Sequence, residues 1–190
     1  VAVTAGASDK GGNPNRKISR ISNEELLIPT ERGELPDNPE ALQKLKEHLE
    51  GMVLPCAQGE RASVLEEKIF CRKIALEENA YHLDALTFSR VDEDRIRIVF
   101  EMQGRTIETS AGYQRWESAE LVFDDELHHS HSFSYAFEQE DRLVIKQYLL
   151  NTSAFDRYVL NFRGDRVEGT IHTTVKIGGA VPTELTGTMN

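Results

Sequence analysis

Between residues 95 and 177, apolar and polar residues alternate along the chain, and short groups of turn-forming residues interrupt the alternation. The segment 95–102 shows the pattern clearly. Its apolar side consists of Ile96, Ile98, Phe100 and Met102, and its charged residues fall on the other side. Successive side chains of a strand point to opposite faces of a sheet. The pattern therefore predicts an antiparallel sheet with one buried and one solvated face.

Turn residues divide this pattern into short strands. Asp92-Glu93-Asp94, Gln103-Gly104 and Arg163-Gly164-Asp165 are of the types that favour tight chain reversals. We expect strands over 64–76, 80–91, 95–103, 105–116, 119–124, 127–138, 142–151, 156–163 and 166–177. A meander of this kind has two open edges, which closure into a barrel removes. The predicted fold is mainly β, an antiparallel up-and-down meander of about 8–9 strands that closes into a barrel or forms a strongly curved sheet.

One helix is predicted ahead of the sheet, over about 39–50. Asn38 is a favoured N-cap residue, Pro39 suits the first helical position, and Gly51 stands where a left-handed C-cap is expected. The apolar stripe consists of Leu42, Leu45 and Leu49. Because a helix with one narrow stripe usually covers another surface, we expect it to serve as a lid or plug of the barrel.

The 190 residues, of which 39% are hydrophobic and 28% charged, suffice for one domain with a substantial core. We expect a flexible leader over 1–21, a single barrel domain over 22–177, and a C-terminal tail over 178–190. No apolar run is long enough to predict a transmembrane segment. The net charge of −10 argues against binding to nucleic acid, which depends on Lys and Arg at the phosphates.

We expect export to the cell envelope, the periplasm or the exterior, mainly from the first residues of the chain. The first residues are small, flexible and polar, as in the sequence that remains after a secretory signal is removed. Asn151-Thr152-Ser153 is a glycosylation sequon. Cys56 and Cys71 are the two cysteines, and in an oxidising compartment we expect a disulfide between them, whereas in a cytosol both would be free thiols.

The segment Leu49-Glu50-Gly51-Met52-Val53, followed by Cys56 and a meander, resembles the opening of lipocalin-like (calycin) domains. In that family a helical segment runs into a Gly-x-Trp motif at the first strand. Gly51 matches the glycine, and Val53 replaces the tryptophan. The periplasmic lipoprotein-carrier type, an incomplete barrel that also begins with a helix, is a second resemblance. Both imply the binding of an apolar or lipidic molecule.

The predicted strand 127–138 carries two histidines at His-x-His spacing, His129 and His131. Residues two apart lie on the same face of a strand, so both imidazoles can reach one Zn²⁺ or another divalent metal if a further ligand joins them. His82, His172 and Glu138 are the conceivable partners. The alternatives are hydrogen bonding near a barrel mouth and a pH-sensitive role, since histidine titrates near neutrality.

The apolar face of the meander supplies candidate residues for a ligand cavity. They are Phe100, Met102, Phe133, Tyr135 and Phe137. The first hypothesis is an exported, non-catalytic barrel that binds a small apolar or amphipathic molecule or lipid in its interior. The second is a surface scaffold with a filled barrel and a protein partner, and the third is a metal-binding protein. No nucleophile motif and no phosphate-binding glycine loop is present, so we expect no enzyme.

Overall fold

A computed structural model of the chain describes residues 37–122, 128–150, 152, 154–174 and 182–189; for residues 122, 128 and 129 only the backbone is described. The chain divides into two units, residues 1–55 and residues 56–190. The first contains one described helix and the second contains a β-sheet. None of the helices in the described part has the length and apolar character needed to span a bilayer.

The helix of the first unit, α1, extends over Pro39–Glu50, as predicted. The Asn38 side chain accepts a hydrogen bond from the Ala41 amide at 2.9 Å, and Pro39 begins the helix. Gly51 ends it in the right-handed region, with φ of −79°, so the expectation of a left-handed cap was wrong. Its role as a lid or plug stays a prediction.

The second unit is built from ten described strands and one short helix, α2 (Glu66–Ile69). The strands are β1 (Lys73–Leu76), β2 (Leu83–Asp92), β3 (Arg95–Met102), β4 (Arg105–Tyr113), β5 (Glu117–Val122), β6 (His128–Gln139), β7 (Arg142–Leu149), β8 (Phe155–Arg163), β9 (Arg166–Thr173) and β10 (Thr183–Met189). Their order in the sheet is β4-β3-β2-β1-β10-β9-β8-β7-β6-β5. The mainly β, mostly antiparallel fold is confirmed.

The sheet closes on itself where β4 meets β6. This contact is parallel and short, joining Gly112 to Ser134 and Tyr113 to Tyr135. It completes a ring of nine strands, while β5 pairs with the first half of β6 as a tenth. The prediction of a closed barrel is thereby confirmed, and likeness to the lipocalins in particular stays a prediction.

The segment after residue 178 was predicted to be a tail, but its end is a strand. β10 lies between β1 and β9, where Leu76 pairs with Gly187 and Leu185 pairs with Gly169. The alternation is readable in hindsight, since Leu185 and Met189 are buried whereas Glu184 and Thr188 are exposed. The many threonines of 183–189 suit a strand, and the preceding Gly178-Gly179 concealed it.

The predicted strand 64–76 was also wrong over most of its length. Residues Glu66–Ile69 form α2, and regular strand pairing begins only at Lys73. Leu65 and Ile69 are four residues apart, and both are buried in the main hydrophobic core. Residues four apart lie on one face of a helix, and they also lie on one face of a strand. The spacing is therefore compatible with burial in either element and does not distinguish them.

The segment 56–60 lies against the outer face of β6 and β7. The Ala57 amide donates to Ser134 Oγ at 2.9 Å, and Glu60 forms an antiparallel bridge with Phe137. Ala57 also packs with Ala136 and Val144, so both faces of β6 are buried here. Residues 56–60 therefore cover the outer face of β6 and β7. Gly51-Met52-Val53 does not begin a strand, whereas the motif that it resembles in lipocalin-like domains does.

Cys56 and Cys71 are free thiols in the structure, so the predicted disulfide is not formed. Their backbones form hydrogen bonds with different strands. The Cys56 carbonyl accepts a hydrogen bond from Lys146 Nζ on β7 at 3.0 Å, whereas the Cys71 amide donates to the Phe88 carbonyl on β2 at 2.7 Å.

The seam between β1 and β10 provides a test of the fold. A Cβ added at Gly187 would lie 2.4 Å from the Ala75 carbonyl oxygen, and that backbone atom cannot rotate away. We expect Gly187→Ala to lower the free energy of unfolding by about 1–3 kcal/mol, as for other overpacking substitutions. Urea denaturation measures it.

Thr188→Ala, on the exposed side of the same strand, is the control, with an expected effect within about 0.5 kcal/mol. Equal stabilities of the two variants would contradict the placement of β10 in the ring.

Candidate functional site

A cavity of about 290 Å³ lies at one end of the barrel interior. It is bounded by the beginnings of β2, β6 and β8 and by the ends of β3 and β7, which meet at this end because neighbouring strands are antiparallel. The lining residues are Tyr81, Leu83, Phe100, Met102, His131, Gln147, Leu149, Asp156 and Tyr158. Most of the lining surface is apolar, with a few polar groups converging on it, as in many small-molecule sites.

Strand periodicity brings the polar groups of the lining into the interior. On β8, Asp156 has the same phase as the buried Tyr158, Leu160 and Phe162. Gln147 of β7 likewise continues the inward row that begins with buried Leu143. These polar residues are therefore carried into the barrel by the same alternation that buries the core.

Three polar side chains form a buried chain of hydrogen bonds across β8, β7 and β6. The Tyr158 hydroxyl donates to Gln147 Oε1 at 2.9 Å. Gln147 Nε2 lies 2.7 Å from His131 Nδ1, and the two groups share a hydrogen bond. The three side chains are therefore joined across three neighbouring strands.

Asp156 is the charged residue among the described lining residues. Tyr81 donates to its Oδ1 over a long 3.4 Å, and Thr173 supplies a second hydrogen bond. Burial raises the pKa of the Asp156 carboxyl above its ordinary value, and these two hydrogen bonds oppose the shift only in part. In the described part of the chain no Lys or Arg forms an ion pair with it.

The two tyrosines nearest to Asp156 have raised pKa values. Burial, followed by the negative charge of Asp156, raises the pKa of Tyr81 to about 12. The same two causes, burial first, raise the pKa of Tyr158 well above 10. Both phenols are therefore neutral hydrogen-bonding groups at physiological pH.

The structure divides the five predicted lining residues between the two ends of the barrel. Phe100 and Met102 line the cavity. Phe133 lies just below it, 6.1 Å from Phe100 and 6.0 Å from His131, measured between ring centroids. Tyr135 and Phe137 lie further along β6 and do not belong to the lining.

The opposite end is filled. Arg90 of β2 donates to the Tyr135 hydroxyl at 2.6 Å and pairs with Glu66 of α2. Its guanidinium also lies 5.5 Å from the centre of the Phe70 ring. Leu65 and Ile69 complete the packing, so α2 and its ion pair close this end of the interior.

Two of the residues proposed as a third metal ligand, His172 and Glu138, have other hydrogen-bond partners. His172 bonds to Thr170, and Glu138 bonds to Arg142 and Arg157, all as exposed groups. Within the described ranges, no group of three or more His, Cys, Asp or Glu residues is arranged to hold a metal ion. The side chain of His129 is outside the described residues, so its pairing with His131 stays a prediction.

Most of the polar side of the site is not predicted from the sequence, above all Tyr81, Gln147, Asp156 and Tyr158. A signal was available for two of them. Gln147 and Asp156 are polar residues at positions where the alternation of β7 and β8 expects apolar ones. Tyr81 precedes its strand, where the sequence has no periodicity to follow.

No protein-family model matches the sequence, and a search of curated proteins finds no relative of it. Solved structures match at low similarity. A fatty acid binding protein of Schistosoma mansoni in complex with arachidonic acid is 12% identical, with 63% of this chain and 94% of that chain covered and a TM-score of 0.48. The fatty acid binding protein in brain tissue of Drosophila melanogaster is 11% identical, with 63% and 98% covered and a TM-score of 0.47.

A third match is a secretory abundant heat soluble protein from Ramazzottius varieornatus. It is 8% identical, the match covers 55% of this chain and 69% of that chain, and the TM-score is 0.44. The assignment of a closed barrel here comes from the strand pairing itself.

The raised pKa of Tyr81 predicts a loss of stability at alkaline pH. In the unfolded chain a tyrosine loses its proton near pH 10, whereas in the folded protein Tyr81 keeps it to about pH 12. Between these values the folded state binds more protons, so the free energy of unfolding falls as pH rises. We expect Tyr81→Phe to make this fall shallower, measured by urea denaturation from pH 9 to 12.

The control for this measurement is Tyr148→Phe, which removes a hydroxyl outside the cavity lining. An unchanged slope in Tyr81→Phe would contradict the half-buried position of the phenol.

The raised pKa of Asp156 predicts that its ionised carboxylate lowers the stability of the folded protein at neutral pH. Its folded pKa is raised above 3.8, so stability falls as pH rises from about 3.8 through the folded pKa and stays lower above it. We expect Asp156→Asn to raise the free energy of unfolding at pH 7, with the gain disappearing towards pH 3. Asp84→Asn, on the exposed side of β2, is the matched control. A less stable Asp156→Asn protein at pH 7 would show that the carboxylate is well compensated.

Proposed function

We propose that the barrel binds a small apolar or amphipathic molecule in the cavity between β2, β3, β6, β7 and β8. The observation that carries the proposal is the 290 Å³ cavity itself, next to a cluster of buried apolar side chains. Its walls are mostly apolar, which favours the transfer of hydrocarbon from water. Export and the absence of catalysis are part of this proposal.

The size of the cavity limits the ligand. An apolar cavity of about 150 Å³ holds one benzene molecule, so twice that volume suits a molecule of roughly ten heavy atoms. A longer chain would have to extend through the mouth, past the half-buried Met102 and Leu149. The preferred ligand is therefore a short-chain or compact molecule, or the terminal part of a longer one.

The scaffold hypothesis receives less support, because a filled barrel would leave no such space. The rings of Phe100 and Phe133, whose centroids are 6.1 Å apart, define the inner limit of the cavity. The side chains beyond them fill the other end. The metal hypothesis rests on the spacing of His129 and His131 alone.

The test is binding of 1-octanol, a neutral probe of suitable size, by isothermal titration calorimetry. We expect saturable binding at one site with a negative heat-capacity change, the sign of apolar burial. Met102→Trp adds a large ring at the cavity wall and should weaken binding at least tenfold.

The matched control places the same residue on the outside. Thr106 is exposed on β4, next to the strand that carries Met102, so Thr106→Trp should bind 1-octanol as the unaltered protein does. No binding by the unaltered protein, or equal binding by both tryptophan variants, would refute the proposal.

A further inference from the structure

We infer that the cavity selects a cationic amphiphile, with an ammonium group at Asp156, over a carboxylate of the same chain length. The inference rests on the proposed function, because it names the chemical class of ligand for the same cavity. It depends on the balance of charge in the described lining, which contains one carboxylate and neither Lys nor Arg.

The other polar groups of the lining are engaged with one another. The Tyr158 hydroxyl donates to Gln147 Oε1, and the Gln147 amide shares a hydrogen bond with His131 Nδ1. Tyr81 and Tyr158 are neutral phenols. Asp156 is thus the single residue of the Asp, Glu, Lys and Arg types in the described lining.

Asp156 also has room for another donor. An ionised carboxylate offers about four acceptor positions, and the described donors to this one are Tyr81, at 3.4 Å, and Thr173. An ammonium group supplies three N–H donors and a positive charge. Folding has already taken part of this carboxylate out of bulk water. A cation that reaches it therefore gains the electrostatic attraction, and the cost of burying Asp156 is not incurred again.

A carboxylate ligand meets the reverse situation. Its charge would lie near Asp156 in a medium of low dielectric constant, where like charges repel strongly. The phenols and the amide could donate to it, but each already has a hydrogen-bond partner within the site. The net charge of −10 also lowers the local concentration of anions around the protein.

The experiment compares three probes of equal chain length, 1-octanol, octylamine and octanoate, at pH 7 by calorimetry. On the unaltered protein we expect octylamine to bind at least tenfold more tightly than 1-octanol, and octanoate to bind more weakly than 1-octanol. Binding of octanoate as tight as that of octylamine would overturn the inference, and so would equal affinities for amine and alcohol.

Asp156→Asn locates the effect. It should reduce the ratio of octylamine to 1-octanol affinity to near one, whereas Asp84→Asn should leave the ratio as in the unaltered protein. If the preference for amine persists in Asp156→Asn, it comes from the overall charge of the protein. That result would overturn the assignment of the ammonium group to Asp156.

The cavity function and the preference for a cationic head group are tested separately. Absence of 1-octanol binding refutes the proposed cavity function, whereas 1-octanol binding with the wrong ranking of the charged probes refutes only the cationic head group. The ranking is measured on the unaltered protein and does not depend on how any variant folds.

Discussion

Closure of the sheet is the constraint on which the rest of the structure depends. The ring is joined by two parallel residue pairs between β4 and β6 and by the insertion of β10 between β1 and β9. A ring of eight strands has an interior that side chains can just fill, and a ninth strand widens it. The inward residues therefore cannot fill both ends unaided. One end is completed by α2, with Leu65 and Ile69 inside and Arg90 paired to Glu66 above them. The other end keeps the unfilled volume.

The polar groups at the open end are costly for a barrel of this kind. Gln147, His131 and Tyr158 are buried, and Asp156 is half-buried among apolar residues. Burial of such groups is tolerated when each has a hydrogen-bond partner, and the Tyr158–Gln147–His131 chain supplies partners for three of them. Asp156 is the exception, because its pKa remains raised despite two hydrogen bonds. An arrangement that favours neither stability nor packing is typical of a functional site.

The sequence predicted the sheet well because strand periodicity is a local signal. Ile96, Ile98 and Phe100 are buried as their alternation requires, and the turns at 93–94, 103–104 and 164–165 lie where their residues placed them. Two elements were predicted wrongly, each for its own physical reason. In 64–72, apolar residues four apart fit a helix and a strand equally, and in 183–189 the strand is stabilised by partners that are distant in sequence. Long-range pairing is absent from any local pattern.

The candidate site shows the same limit and a way around it. The apolar half was predicted in part, since Phe100 and Met102 do line the cavity, but Tyr135 and Phe137 have the same inward phase and lie at the filled end. Phase determines which face a residue occupies, whereas its depth along the barrel depends on register with strands elsewhere in the chain. Polar residues carry more information in this position. An Asp in the row Asp156, Tyr158, Leu160, Phe162 is unfavourable in a packed core, so its presence at an inward position already marks the end of the strand where the core stops.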